Sequence, residues 1–207
     1  MPGAATGDSA AAAAAAAASV AVAPATADLA QHLAAAPGTG WQAGPPDSAA
    51  ALAAARAYLH NTATLVARLR LSMAPNHGYA QPAGGGFSLV QHLWHLADVE
   101  QFGWAQRFAR LLAEVQPVLP GVDGDRLAAE RGYQQRPWRA AAQRFVAQRR
   151  RTLAALACCD GPVLRRPVVF SGQPASGTDL LAAMVAHDHE HRLEMAALWA
   201  AANPGAA

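Results

Sequence analysis

The segment Ser88–Glu114, SLVQHLWHLADVEQFGWAQRFARLLAE, begins with a well-marked helix start. Ser88 is followed three residues later by Gln91, the spacing of a capping box in which each side chain bonds the other residue's backbone N–H. Three glycines precede the segment, and Pro117 and Pro120 follow it. The pattern therefore predicts one long helix bounded on both sides by helix-breaking residues.

Three further segments show helical spacing of apolar residues between Gly and Pro clusters, at about 48–73, 137–159 and 178–202. The third of the four long segments starts with Pro137, which the first turn of a helix tolerates. Four amphipathic helices can bury their apolar stripes only against one another, so the sequence predicts an all-α, four-helix bundle. Arg165–Phe170 is the only strand-like candidate.

The N-terminal part differs from the rest in composition. Residues 1–45 form a low-complexity leader with an alanine run at Ala10–Ala18, and residues 46–203 form the predicted bundle domain. We expect the leader to be disordered apart from a short helix near Asp28–Ala35, with Trp41 as a candidate for docking on the bundle. Its features match neither a secretory signal nor a membrane span.

Composition narrows the classes of function. The chain carries 16 basic residues, all arginine, against 14 acidic ones, for a net charge of +2. This near balance argues against a dedicated nucleic-acid or anionic-membrane surface. Cys158 and Cys159 are adjacent, a spacing that rarely bridges, so no disulfide framework is indicated and a cytoplasmic location is expected.

Histidines are concentrated on two of the predicted helices. His187 and His191 are four residues apart and point about 40° apart on a helix, so both can reach one ion. They interrupt an apolar stripe formed by Leu180, Met184, Met195 and Leu198. Buried imidazoles need hydrogen-bond partners or a metal to offset their loss of hydration. His189 points the other way on the same helix.

A third ligand is expected from the second helix, where both His92 and His95 are within reach. Three neutral histidines leave coordination positions open, as in a catalytic site for a divalent ion. Imidazole suits zinc, nickel, iron or copper, and manganese also stays open. Asp188 and Glu100 are candidates to accept hydrogen bonds from the ligands' remaining N–H groups, or to take up protons. Among Arg149, Arg150 and Arg151, at least one guanidinium is expected to point inward toward an anionic group.

Other interpretations are less favourable. His187–His191 fits the H-x-x-E-H zinc-protease pattern with Glu190 as base, but too few residues follow for the further ligand of that class. A di-iron bundle would need Glu-x-x-His pairs, and the chain has none. The remaining histidines are interpreted as surface residues, namely His32, His60, His77 and His189.

The same residues carry a resemblance to a known family. Phe87–Glu100 followed by Arg107, and Gly177–Leu181 continuing into His187–His191, resemble helices of the DinB-like (DinB/YfiT) superfamily of four-helix bundles. The resemblance implies a divalent metal held by His95, His187 and His191, which favours His95 over His92. It also implies a metal-dependent transferase or isomerase that uses a low-molecular-weight thiol, or a metal-dependent hydrolase.

Two functions are compatible with these residues. The first is an enzyme that activates a thiol or water at the metal and acts on a small-molecule substrate. The alternative is a non-catalytic bundle with a structural metal, which binds a ligand or dimerises. A homodimer is compatible with both.

Overall fold

The computed structural model describes residues 23–38, 48–74 and 76–204. Trp41 and residues 1–22 of the predicted leader lie outside this part of the chain. Within it, no helix is both long enough and apolar enough to cross a membrane.

The four predicted long helices are all present. They are α2 (Ala49–Ser72), α3 with α4 (Leu89–Val99 and Ala105–Ala113), α6 (Trp138–Ala157) and α8 (Gly177–Ala202). A π-helical turn, Glu100–Trp104, joins α3 to α4. The predicted capping box at the start of α3 forms, with Ser88 Oγ accepting from the Gln91 N–H and Gln91 Oε1 accepting from the Ser88 N–H. The predicted four-helix bundle is confirmed.

One further helix, α1 (Ala23–Ala34), lies before the predicted domain boundary and packs against α2 and α8. Leu29 and Leu33 are buried in the bundle core. Arg192 of α8 donates hydrogen bonds to the Leu33 and His32 carbonyls at the C-terminal end of α1. This end of the predicted leader thus contributes directly to the packed domain.

The connections contain more β-structure than the sequence predicted. A strand, β2 (Pro167–Phe170), forms within the predicted Arg165–Phe170 segment, but it is not the only strand. It pairs in parallel with β1 (Val118–Leu119) and antiparallel with β3 (Gln173–Ser176). Short helices α5 (Gly124–Arg131) and α7 (Gly161–Leu164) complete the connections, with 3₁₀ turns at His77–Tyr79 and Tyr133–Gln135.

The β2–β3 hairpin turns at Ser171 and Gly172, with φ values of 51° and 79°. Two successive residues with positive φ define the tight turn that suits the twist of paired strands. Glycine adopts this conformation freely, whereas serine does so at a cost. The turn places Ser171 at the wall of a cavity that is described below.

The apolar core forms two clusters stacked along the bundle, separated by a polar layer. One cluster includes Trp94, Phe145 and Trp199, and the other includes Phe108 and Met184. Between them, from three different helices, lie three buried charged residues, which we call the Arg149 network: Glu100, Arg149 and Asp188. A buried charge is tolerated when it is paired, and here each charge has a partner of opposite sign.

Candidate metal centre

Two helices bring three histidines together. His95 projects from α3, and His187 and His191 project from successive turns of α8. One nitrogen from each ring lies within 4.8 Å of the nitrogens from the other two. We call these residues the three-histidine cluster. The i, i+4 spacing puts His187 and His191 on one face of α8. Capping boxes at Ser88 and Ser176 define where α3 and α8 begin.

The rings of the cluster are in close contact. The Nε2 atoms of His95 and His187 are 3.1 Å apart, and the ring centroids of His187 and His191 are 4.5 Å apart. Two nitrogens that bind one tetrahedral zinc at 2.0–2.1 Å are themselves about 3.3 Å apart. The distance between the His95 and His187 nitrogens is therefore close to the distance between two nitrogens that bind the same zinc ion.

Burial keeps the rings of His95 and His187 neutral. It lowers the pKa of His95 to about 3, with further contributions from His191 and His92. It also holds the pKa of His187 well below its usual range. Neutral imidazole offers a lone pair, which is what metal coordination requires. The donor set thus fits a divalent ion such as zinc, nickel, iron or copper.

The backbone of α5 fits closely against one histidine of the cluster. A Cβ atom added to Gly124 would lie 2.3 Å from Cε1 and 2.7 Å from Nδ1 of His95. Real atoms do not approach so closely, so only glycine leaves room for the His95 ring in this position. Phe87 packs on another side of the ring, with centroids 5.7 Å apart. His95 is therefore held between Gly124 and Phe87.

The cluster opens into a cavity of about 370 Å³. Most of its wall residues are apolar or aromatic. They are Val99 of α3, Trp104 of the π turn, Val122 before α5 and Phe170 of β2. Arg107 of α4 is the charged residue of the wall. A small cavity with one polar floor and apolar walls is typical of a small-molecule site.

A carboxylate orients the third histidine of the cluster. Glu194 Oε2 is 2.8 Å from His191 Nδ1, and the contact lowers the pKa of Glu194. An N–H at Nδ1 of His191 donates to this carboxylate, which leaves Nε2 as the nitrogen with a free lone pair. This role of Glu194 was not predicted from the sequence. The three-residue spacing from His191 on one helix was the available signal.

His92 lies beside the cluster rather than within it. Its Nδ1 is 3.2 Å from His191 Nδ1 and 3.5 Å from Glu194 Oε2. Nitrogen and carboxylate atoms of His92, His191 and Glu194 also lie within 4.8 Å of one another. The geometry thus gives His92 a different neighbourhood from His95, which faces His187.

Asp188 and Glu100 have a different hydrogen-bond partner from the histidines that the sequence suggested. Neither carboxylate has a hydrogen bond to a histidine of the cluster; Arg149 instead donates to Asp188 at 2.6 and 2.7 Å and to Glu100 at 2.8 Å. Burial alone would lower the pKa of Arg149, but the two carboxylates outweigh it and raise the pKa. The inward guanidinium predicted for the Arg149–Arg151 run is Arg149. The Nδ1 atoms of His95 and His187 have no hydrogen-bond partner among the described residues.

The remaining histidines lie away from the cluster. His32, His60 and His77 are exposed, as the sequence predicted. His189 points away from the cluster, but it is half-buried, and its Nδ1 is 3.0 Å from the Tyr58 hydroxyl. Its interpretation as a surface residue was therefore only partly right.

The fold and the site together define a helical bundle with a candidate metal site, formed by three histidines from two helices at a cavity. A family profile described as the DinB superfamily matches residues 25–195 of the chain. The chain therefore belongs to the DinB superfamily, as the helix motifs predicted. The match includes the whole of the three-histidine cluster.

A solved structure supports the fold. YfiT from Bacillus subtilis, described as a probable metal-dependent hydrolase with an unusual four-helix bundle topology, superposes with a TM-score of 0.66. The two chains are 17% identical, and the match covers 73% of this chain and 87% of YfiT. A search of curated proteins by sequence found no match. At this identity the likeness concerns the fold alone.

Proposed function

We propose that the chain is a divalent-metal-dependent enzyme that activates a water or a small thiol for attack on a small-molecule substrate. The observation that carries the proposal is the convergence of three ring nitrogens within 4.8 Å at the floor of the cavity. Membership of the DinB superfamily and the likeness to YfiT, a probable metal-dependent hydrolase, support it.

In this proposal His95, His187 and His191 hold the ion. A divalent ion there supplies Lewis acidity, which lowers the pKa of a bound water or thiol toward neutrality. Three protein ligands leave room for such a nucleophile. Glu194 keeps His191 in the tautomer with a free Nε2, and Gly124 leaves space for the His95 ring.

The cavity walls supply apolar surface for a substrate beside the cluster. Trp104 is buried, and its ring lies 6.0 Å from that of His187. Phe170 packs against Trp104 at 6.4 Å. A substrate packed on these walls would displace water from beside the cluster and so strengthen electrostatic interactions there.

The proposal is tested by comparing wild type with His187→Ala and with His60→Ala, which changes an exposed histidine. Each protein, loaded with Zn²⁺, Ni²⁺ or Mn²⁺, is assayed for hydrolysis of p-nitrophenyl acetate and for alkylation of cysteine by monobromobimane. We expect metal-dependent, saturable turnover in at least one assay, retained by His60→Ala and lost in His187→Ala. Equal rates in all three proteins would refute catalysis and favour a non-catalytic bundle.

A further inference from the structure

Arg107, on α4, is a buried cation without a counter-ion. Only 5% of its surface is exposed. Its Nη2 donates to the Pro120 carbonyl at 3.0 Å, while its Nε is buried without a hydrogen-bond partner among the described residues. None of the ion pairs found in the described part of the chain includes Arg107. Burial lowers its pKa to about 10, so it remains charged at neutral pH.

The other two buried arginines of the described residues have more partners than Arg107, although each also keeps one nitrogen without a hydrogen bond. Arg149 meets the carboxylates of Asp188 and Glu100, and Arg192 donates to two carbonyls at the C-terminal end of α1. A buried charge without such partners is costly and calls for an explanation. Arg107 differs from them in a further respect, because it lines the cavity of the three-histidine cluster.

Two aromatic rings fix the plane of the Arg107 guanidinium. Its central carbon lies 4.6 Å from the ring centre of Trp104 and 4.7 Å from that of Phe170. Stacking satisfies the faces of the guanidinium, while Nη1 has no hydrogen-bond partner among the described residues and Nη2, which donates to Pro120, keeps one further hydrogen. An edge with paired N–H donors matches the two oxygens of a carboxylate.

The π turn places Arg107 on the same side of the helix as His95. Twelve residues of regular α-helix would leave the two side chains about 120° apart in rotation. The turn Glu100–Trp104 accommodates one extra residue, which reduces the offset to about 20°. π turns are frequent at functional sites. Here the turn brings a cation and a metal-ligand candidate to one cavity.

We propose that the substrate carries a carboxylate, which Arg107 binds at the wall of the cavity while the reacting group faces the three-histidine cluster. This inference rests on the proposed function, because the carboxylate site is a substrate site only in an enzyme. A carboxylate is favoured over a phosphate because Arg107 is the one guanidinium among the described residues that line the cavity, and the aromatic walls suit an apolar body.

Binding of benzoate, measured by isothermal titration calorimetry, tests this proposal against neutral benzamide and inorganic phosphate. We expect benzoate to bind both Zn²⁺-loaded and chelator-treated wild type, and to bind roughly 10- to 100-fold more weakly to Arg107→Gln. Arg107→Lys should recover only part of the affinity because lysine lacks the planar fork. Arg126→Gln, a change at an exposed arginine, is the matched control and should bind like wild type.

The comparison within wild type does not depend on the folding of any variant. Equal binding of benzamide and benzoate, or stronger binding of phosphate than of benzoate, would overturn the proposal. So would unchanged benzoate affinity in a folded Arg107→Gln protein. The chelator-treated arm separates the two proposals: benzoate binding that needs Arg107 but no metal supports the carboxylate site even where the metal-dependent function fails.

Discussion

Arg149 and Asp188 form a doubly hydrogen-bonded ion pair in the centre of the bundle. Nη1 of Arg149 is 2.6 Å from Oδ2 of Asp188, and Nη2 is 2.7 Å from Oδ1. Neither side chain has measurable exposure. Asp188 follows His187 directly, so this pair ties the helix that carries two metal-ligand candidates to α6.

Asp188→Ala is expected to destabilise the fold by about 3–5 kcal/mol, because it leaves the buried Arg149 short of a counter-ion. Urea denaturation of chelator-treated protein measures the free energy of unfolding without a contribution from bound metal. Glu130→Ala removes an exposed ion-pair partner on α5 and should change it little. Similar losses in both variants would contradict this view of the Arg149 network.

Gly124→Ala is expected to lower divalent-metal affinity about tenfold or more, since the added methyl group would displace the His95 ring. Gly84→Ala is the control, because a Cβ there meets no atom within 4 Å. Zn²⁺ titration against a competing chromogenic chelator gives both affinities. Equal affinities would show that the His95 ring adjusts to the methyl group without loss of the site.

Glu194→Gln tests the orientation of His191. The variant keeps the size of the side chain but removes the charge that accepts from His191 Nδ1, so we expect Zn²⁺ affinity to fall about 10- to 100-fold. Glu190→Gln, an exposed change on the same helix, should leave the affinity unchanged. A decrease of the same size in both variants would attribute the effect to the net charge of α8.

The metal-free protein should lose stability on acidification below pH 6.5. Burial lowers the pKa of His95 to about 3 and that of His92 to about 4, whereas an unfolded histidine titrates near 6.5. The unfolded chain therefore binds more protons over this range, and each histidine lowers the free energy of unfolding by up to about 1.4 kcal/mol per pH unit.

Comparison of variants separates the contribution of His92 to the pH dependence of stability from that of other titrating groups. His92→Asn should make the stability of chelator-treated protein less dependent on pH between 6.5 and 4.5, and His60→Asn, at an exposed position, should not. Chemical denaturation at several pH values provides the measurement. Parallel pH profiles for wild type and His92→Asn would mean that His92 is not held neutral by the fold.

The bundle could be predicted from the sequence because its signals are local. The capping residues at Ser88 and the Gly and Pro clusters mark helix ends within a few residues of those observed. Strand β3 was missed because it contains Pro174 and lacks an apolar run, and β1 because it is only two residues long. Both strands depend on pairing with β2, which no local pattern indicates.

For the site, helical spacing was enough to put His187 and His191 on one face, but not to place their partners. The roles of Gly124, Arg107 and Glu194 depend on side chains that come close to them only in the folded protein. Arg107 additionally depends on a π turn that changes the rotation of the helix, which a regular period of 3.6 residues cannot reveal. The pairing of Asp188 with Arg149 was not predicted, because no local pattern shows where Arg149 lies across the bundle.

The central claim is that His95, His187 and His191 jointly bind one divalent ion. Elemental analysis of protein purified without chelators, combined with Zn²⁺ titration, tests it most directly in wild type, in the three single alanine variants and in His60→Ala. The account predicts about one ion per chain in wild type and His60→Ala, and loss of most of it in each cluster variant. Equal metal content in all five proteins would contradict it.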